Sequence, residues 1–205
     1  MDQKEFEKRI RDADTVILKL LKENKVIMLS EQEKIKFVEF YRKQANLSLI
    51  TADILYNIST EKLAKNYHKL NENYECFLWV LNASYYSMFY AVHSLLAYKG
   101  KRIVEKQGIH QLTAHAFVYF FIKNNFIAKE LFEQFIESQN TAVELLNIDD
   151  FRKKAIDLTS KYFYETEKRS KFTYETNEEI KQKHANTSLL RAKEFLGEIE
   201  KIIEK

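Results

Sequence analysis

The stretch that decides the fold runs from Phe77 to Tyr98 and reads FLWVLNASYYSMFYAVHSLLAY, followed by Gly100. At about 100° per residue, Leu78, Asn82, Tyr86, Phe89, His93 and Leu96 fall on one side of a helix, and Val80, Ser84, Ser87, Ala91 and Leu95 fall opposite. The polar residues that interrupt the run argue against a membrane span. The pattern predicts a helix over about 74–99 that ends at a C-terminal glycine and is covered on both sides.

Two arrangements would cover such a helix. It can be the middle of a bundle formed by one chain, or it can be partly buried by a second subunit. The small residues Ser84, Ser87 and Ala91 form a stripe that allows a neighbouring helix to approach closely. The sequence leaves both alternatives open, and the second predicts a homodimer.

The composition of the whole chain favours helices. Among 205 residues there is no proline and there are only three glycines, so the residues on which tight turns depend are scarce. Charged residues make up 31% of the chain, which is typical of helices with solvated outer faces. We therefore predict an all-α fold, an antiparallel up-and-down helical bundle built on one core.

Amphipathic patterns and capping signals divide the chain further. Residues 1–30 are predicted as an N-terminal helical extension, and residues 31–205 as the bundle. Ser30 and Glu33 have the spacing of a capping box and predict a helix that continues towards Ile58. The remaining predictions are a loop over 59–73, helices over 109–123, 127–146 and 150–170, and a last helix that begins near Thr176.

Cysteine usage and charge limit the functional classes. The only cysteine, Cys76, cannot close an intrachain disulfide, and the charged N-terminus has no apolar core of a secretory signal, so a cytoplasmic location is expected. Cys76 itself is expected to be a small core residue. The net charge of +3 does not predict a whole-surface attraction for nucleic acid, although a local basic patch remains compatible with it.

The five histidines do not predict a metal site. His110 and His115 are five residues apart, which turns their side chains about 140° from each other on a helix. His68 and His184 are expected at the surface, and His93 is expected to be a hydrogen-bonded core histidine. Phosphate loops and hydrolase motifs are also absent from the sequence, so no metal and no cofactor is predicted.

Residues 161–174, KYFYETEKRSKFTY, alternate cations with aromatic rings. Such mixing suits phosphate contact combined with base stacking. The alternative is a solvated helix end whose rings pack inward while its lysines stay in water.

Two parts of the segments described above resemble the HEPN-domain family, in particular its small stand-alone archaeal and bacterial members. Residues 82–91, NASYYSMFYA, are similar to the family's central helix, and residues 169–174, RSKFTY, with Ala192 and Phe195 are similar to its ending. Ile109 and His110 resemble the piece in between. The resemblance implies a helical bundle that dimerises, and many relatives bind RNA or cleave it without a metal, often as toxins beside a small nucleotidyltransferase.

The resemblance also implies site residues. Arg169 matches the arginine of the family's Arg-x4–6-His signature, but Tyr174 stands at the partner position and no histidine follows within the window. Histidine suits proton transfer at neutral pH, whereas a tyrosine with a pKa near 10 suits it poorly.

The first hypothesis is therefore a dimer that binds RNA, or a nucleotidyltransferase partner, through a cleft with Lys168, Arg169, Lys171 and Asn82. The second is a metal-independent ribonuclease with Arg169 as a catalytic residue, in which Tyr174 or a displaced histidine replaces the missing histidine. The third is a non-catalytic interaction protein.

Overall fold

The computed structural model describes residues 3–124, 126–146 and 178–204. The elements among them are α1 (Gln3–Lys22), β1 (Val26–Met28), α2 (Glu31–Thr60), α3 (Lys62–Tyr67), α4 (Phe77–Tyr98), β2 (Lys101–Ile103), α5 (Ile109–Phe117), a π-helical turn (Val118–Ile122), α6 (Lys129–Leu146) and α7 (Glu178–Ile203). The all-α prediction is confirmed. The predicted helix over 150–170 and the predicted start near Thr176 lie outside the described residues.

Helices α2 and α4 lie side by side and run in opposite directions. Near the end of α2 the Ser59 hydroxyl accepts a hydrogen bond from the backbone N–H of Cys76, at 2.9 Å, just before α4 begins. Near the start of α2 the Val38 carbonyl accepts one from the Ser94 hydroxyl at 3.3 Å, close to the end of α4. The buried Cys76 is therefore a packing residue at this junction, as the sequence predicts.

Helix α7 runs antiparallel to α2 and to α6. Ion pairs join Arg42 of α2 to Glu200 and Asp53 of α2 to Lys193. On the other side, the Gln134 amide of α6 donates to a Glu194 carboxylate oxygen at 3.1 Å. The long helices thus alternate in direction along the chain, as in the predicted up-and-down bundle.

The core is centred on α4. Tyr85, Met88 and Leu95 are fully buried in it, and so are Ser84 and Ser87 of the small-residue stripe. That stripe is covered within the chain, which fits the first of the two alternatives for this helix. A contact with a second subunit therefore has to use another surface.

Helix α1 shares this core. Its residues Ala13 and Ile17 are completely buried, and Leu20 is nearly so, in the same apolar cluster as α4. The N-terminal helix therefore packs into the bundle instead of standing apart from it.

Two local predictions at helix ends are confirmed. Ser30 caps α2, with reciprocal hydrogen bonds to Glu33 that form the predicted capping box. Gly100 follows α4 with a φ of 70°, and its N–H bonds the carbonyl of Ala97 at 2.8 Å. A residue with a side chain is strained in that left-handed conformation, which is why glycine stands there.

The predicted loop over 59–73 is partly wrong. Helix α2 continues to Thr60, and α3 forms one short helix over Lys62–Tyr67 within that segment. The prediction weighted the Ser, Thr and Asn residues, whereas the run KLAKNY contains good helix formers. The structure also contains two three-residue strands that the sequence did not predict. Val26, Ile27 and Met28 pair antiparallel with Ile103, Arg102 and Lys101.

Candidate functional site

A series of aromatic rings crosses the surface from α2 to α5, and we call it the aromatic band: Phe37, Tyr41, Tyr90, Tyr86 and His110. Phe37 and Tyr41 stack with ring centres 6.1 Å apart, and Tyr41 stacks with Tyr90 at 6.4 Å. Tyr90 then lies 6.0 Å from Tyr86, which lies 5.8 Å from His110. All five rings are partly exposed, so the band presents aromatic faces and edges to solvent.

Helix periodicity explains how the band is assembled. Phe37 and Tyr41 are four residues apart on α2, and Tyr86 and Tyr90 are four apart on α4, so each pair shares one face of its helix. The antiparallel packing of α2 and α4 then brings the two pairs together. Each ring is held by its neighbours, which limits the entropy lost when a flat ligand stacks on it.

Arg102 of β2 supplies a cation at one end of the aromatic band. Its guanidinium carbon lies 4.2 Å from the centre of the Phe37 ring. Its Nε is buried and has no hydrogen-bond partner among the described residues. A guanidinium held in this way can donate to a phosphate while it remains stacked on the ring.

An open groove lies beside Tyr86 and Tyr90 of the band, between α2 and α4. It has a volume of about 450 Å³. Tyr86 and Tyr90 form one wall, and the remaining lining residues are Gln44, Leu47, Ser48, Thr51 and Ala83. A flat or extended ligand can therefore continue from the rings into a partly polar channel.

Asn82 lies next to the band, one helical turn before Tyr86. Its side-chain oxygen Oδ1 is buried and accepts no hydrogen bond from any described residue. An unpaired buried acceptor costs about 1–3 kcal/mol, so such atoms usually have a structural or ligand-binding reason. Asn82 is thus the one predicted RNA-binding residue whose surroundings the structure describes.

Behind the band, Tyr85 and His93 are each paired with a polar side chain of α5. The Tyr85 hydroxyl lies 2.8 Å from Nδ1 of His110, and Nε2 of His93 lies 3.0 Å from the Thr113 hydroxyl. Because that hydroxyl donates to the Ile109 carbonyl at 2.7 Å, it accepts from His93, which assigns the His93 proton to Nε2. The prediction of a hydrogen-bonded core histidine is confirmed.

Burial decides the charge of these groups. It lowers the pKa of His93 to about 3, with smaller contributions from His110 and Arg102. Burial, with a smaller effect of Tyr90, raises the pKa of Tyr86. His93 is therefore neutral near pH 7 and Tyr86 keeps its proton, so both are hydrogen-bonding groups and not proton-transfer groups in this state.

The other predicted site residues cannot be placed beside Asn82. Lys168, Arg169, Lys171 and Tyr174 all lie outside the described residues. Their convergence on one cleft, and the catalytic role of Arg169 and Tyr174, stay predictions.

Sequence reasoning missed Arg102, Phe37 and Tyr41. They come from separate elements, and only the packing of α2 against α4 and β2 brings them together. The available signal was the aromatic run YYSMFY, which contains Tyr86 and Tyr90.

Among the described residues, the histidines belong to no cluster of metal ligands. Over 3–124, 126–146 and 178–204, no three His, Cys, Asp or Glu side chains converge as metal ligands. His68 and His184 are exposed, as predicted. Among those same residues, no helix has the length and apolarity needed to cross a bilayer.

Comparison with protein-family models, with curated proteins and with solved structures finds no match to this chain.

Proposed function

We propose that this protein is a HEPN-like dimer that binds single-stranded RNA along the aromatic band. The observation that carries the proposal is the order of groups on one surface. The Arg102 cation stacks on Phe37, the rings continue through Tyr41 and Tyr90 to Tyr86, and a groove follows.

This order matches the chemistry of a single strand. Unpaired bases stack on aromatic rings, for about 1–3 kcal/mol per base, and phosphates pair with cations. The band offers stacking without a dense field of positive charge, which fits a net charge of only +3. Double-stranded RNA, whose bases are already stacked, would gain little from it.

The binding test uses fluorescence anisotropy of a labelled twelve-nucleotide RNA. Tyr90→Leu removes a ring from the middle of the band and should weaken binding by about 1–3 kcal/mol. Arg102→Gln should weaken it too, and should reduce the slope of log affinity against log salt by about 0.7 for one lost phosphate contact. Arg191→Gln is the matched control, because Arg191 pairs with Glu137 on another face, at 2.7 Å. Equal binding by all four proteins would refute the proposed surface.

The dimer is supported by exposed apolar side chains beside the groove. Leu47 is 47% exposed, Ile54 is 50% exposed and Trp79 is 58% exposed. Leu47 lines the groove together with Ala83, and Trp79 lies one turn before Ala83 on α4. Two copies that join through this surface would bring their grooves together.

Light scattering tests the dimer. The parent should have the mass of two chains at micromolar concentration, and Trp79→Glu should have the mass of one, because a carboxylate buried between two copies is costly. Leu63→Glu is the control, since Leu63 is 84% exposed on α3. A parent that is monomeric at 100 µM would contradict the dimer while leaving RNA binding to its own test.

Cleavage of RNA through Arg169 and Tyr174, and a nucleotidyltransferase partner, stay predictions from the resemblance.

A further inference from the structure

A second cavity lies on the side of α5 opposite to the aromatic band, between α1, α5 and α6. We call it the α5–α6 pocket. Its volume is about 320 Å³, within the range of small-molecule sites. Val118, Phe132 and Ile136 form an apolar wall, and Phe132 is only 1% exposed. This wall can cover one face of a flat apolar ring.

The opposite lining is polar and carries amide and imidazole groups. Gln111, His115, Gln139 and Asn140 all line the pocket. None of the four side chains makes a hydrogen bond with another described residue. Each carboxamide can both donate and accept, and so can a neutral imidazole.

Gln139 is the most informative of these residues. It is only 6% exposed, yet its carboxamide has no partner among the described residues. Gln139 also lines the pocket, so its carboxamide is available to a molecule bound there. The position is explained if the amide pairs with a bound molecule.

The lining carries little net charge. Arg9, at the edge, is already paired with Glu5 at 3.1 Å. Burial lowers the pKa of His115, although the nearby Asp12 carboxylate raises it and Arg9 lowers it further. His115 is therefore mostly neutral near pH 7, and the pocket is better suited to an uncharged ligand than to an ion.

The backbone beside the pocket is also unusual. The π-helical turn begins at Val118, and the Lys123 N–H bonds the Val118 carbonyl at 2.9 Å, one residue further along than in an α-helix. Such turns interrupt the regular α-helical hydrogen bonds and are often found at functional sites.

We propose that the α5–α6 pocket binds a small, uncharged, planar heterocycle with ring amide groups, the chemistry of a nucleobase. Its ring packs on Val118, Phe132 and Ile136, and its amide edge pairs with the Gln139 carboxamide. His115 and Gln111 provide further donors and acceptors for the same edge. The base can come from a free nucleobase or from an unstacked nucleotide of RNA, and the test separates the two.

The first experiment is calorimetric titration of the full chain with uracil, cytosine and hypoxanthine, with benzoate as an anionic ring of similar size. At least one of the three uncharged compounds should bind saturably and more tightly than benzoate. Gln139→Leu should weaken that binding at least tenfold. Gln134→Leu, on the same helix but bonded to Glu194 outside the pocket, should not. Binding of benzoate alone, or of none of the compounds, overturns the proposal.

Thermal unfolding of the same variants guards against misfolding as an explanation. Gln139→Leu should unfold at about the same temperature as the parent, because leucine has a similar size and no hydrogen bond to a described residue is lost. If Gln139→Leu binds the uncharged compounds as well as the parent does, the proposal is also overturned.

The source of the base is settled by adding oligouridylate to both proteins. If the RNA displaces uracil and also binds Gln139→Leu more weakly, the pocket accepts a base of an RNA strand. If Gln139→Leu loses uracil but keeps RNA, the ligand is a free base. Failure of RNA binding to the aromatic band is read from Tyr90→Leu and Arg102→Gln, so the two proposals fail separately.

Discussion

Helix α5 separates two polar regions, and each contains a histidine of this helix. The histidine is hydrogen-bonded in one region and has no described hydrogen-bond partner in the other. On the side of α4, His110 pairs with Tyr85, and Thr113 pairs with His93. On the side of α6, His115 lines a pocket in which Gln139 has no described partner. Both regions rest on the same apolar core, so packing alone does not explain the difference. Paired polar groups hold α5 against α4, whereas unpaired ones are available to a ligand.

A substitution in the core that both regions share should have the largest effect on the free energy of unfolding. Phe117 is fully buried, and its ring lies about 6 Å from those of Phe121, Phe132, Phe135 and Phe195. Phe117→Ala should lower the free energy of unfolding by about 3–5 kcal/mol, measured by urea denaturation. Tyr67→Ala, at an 82% exposed ring, should change it by less than about 0.5 kcal/mol. A small effect of Phe117→Ala would mean that the two regions do not share one core.

Acid should lower the stability of the side of α5 that faces α4, where His93 pairs with Thr113. The folded-state pKa of His93 is about 3, below the ordinary value of 6.5. Between these two pH values the unfolded chain therefore binds the proton more readily than the folded chain does. Stability from this group is complete above pH 6.5 and is lost as the pH falls towards 3. Between pH 7 and pH 4.5 the loss should be roughly 2–3 kcal/mol.

The readout is the difference in pH dependence between variants, since carboxylates titrate in the same range. His93→Gln should flatten the curve of unfolding free energy against pH, even if it lowers the curve as a whole. His184→Gln, at an exposed position, should leave the shape unchanged. Parallel curves for the parent and His93→Gln would show that His93 does not carry the effect.

The pairing itself can be broken at Thr113. Thr113→Val removes the hydroxyl that accepts from His93 and leaves a buried N–H without a partner, which should cost about 1–3 kcal/mol. Thr141→Val is the matched control, because the Thr141 hydroxyl is exposed and bonds only the Glu137 carbonyl. Equal losses in chemical denaturation would argue that the hydroxyl pair has no special role.

The smallest effect is expected on the unpaired side. Gln139→Leu should change the free energy of unfolding by no more than about 1 kcal/mol, because leucine has a similar size and no hydrogen bond to a described residue is lost. Differential scanning calorimetry without added ligand is the appropriate measurement. A loss as large as that of Thr113→Val would place Gln139 among the structural polar groups and remove the contrast between the two sides of α5.

Local signals in the sequence predicted much of the fold. The capping box at Ser30, the glycine stop at Gly100 and the apolar periodicity of α1 act within a few residues, so they can be read without tertiary structure. The three-residue strands carry too little pattern to be recognised alone, and the π-helical turn reads as ordinary helix.

The candidate site was less predictable than the fold. Asn82 was identified through a family resemblance, and the structure adds that its Oδ1 is buried and unpaired. Arg102 and Phe37 meet only because β2 follows α4 and returns to α2. The polar lining of the α5–α6 pocket is likewise drawn from three helices, and no short stretch of sequence contains it.

The small antiparallel ladder between β1 and β2 has a kinetic consequence. It joins Met28 to Lys101, with all of α2, α3 and α4 between them along the chain. Closing so long a loop has a large entropic cost, and contacts that are remote in sequence form slowly. The helical hairpin of α2 and α4 should therefore assemble first, and the ladder with α1 should close afterwards. Leu29 donates to the Gly100 carbonyl and Val104 to the Lys25 carbonyl, both at 2.9 Å. In a refolding experiment, these two amide protons would then gain protection from exchange later than those of α4.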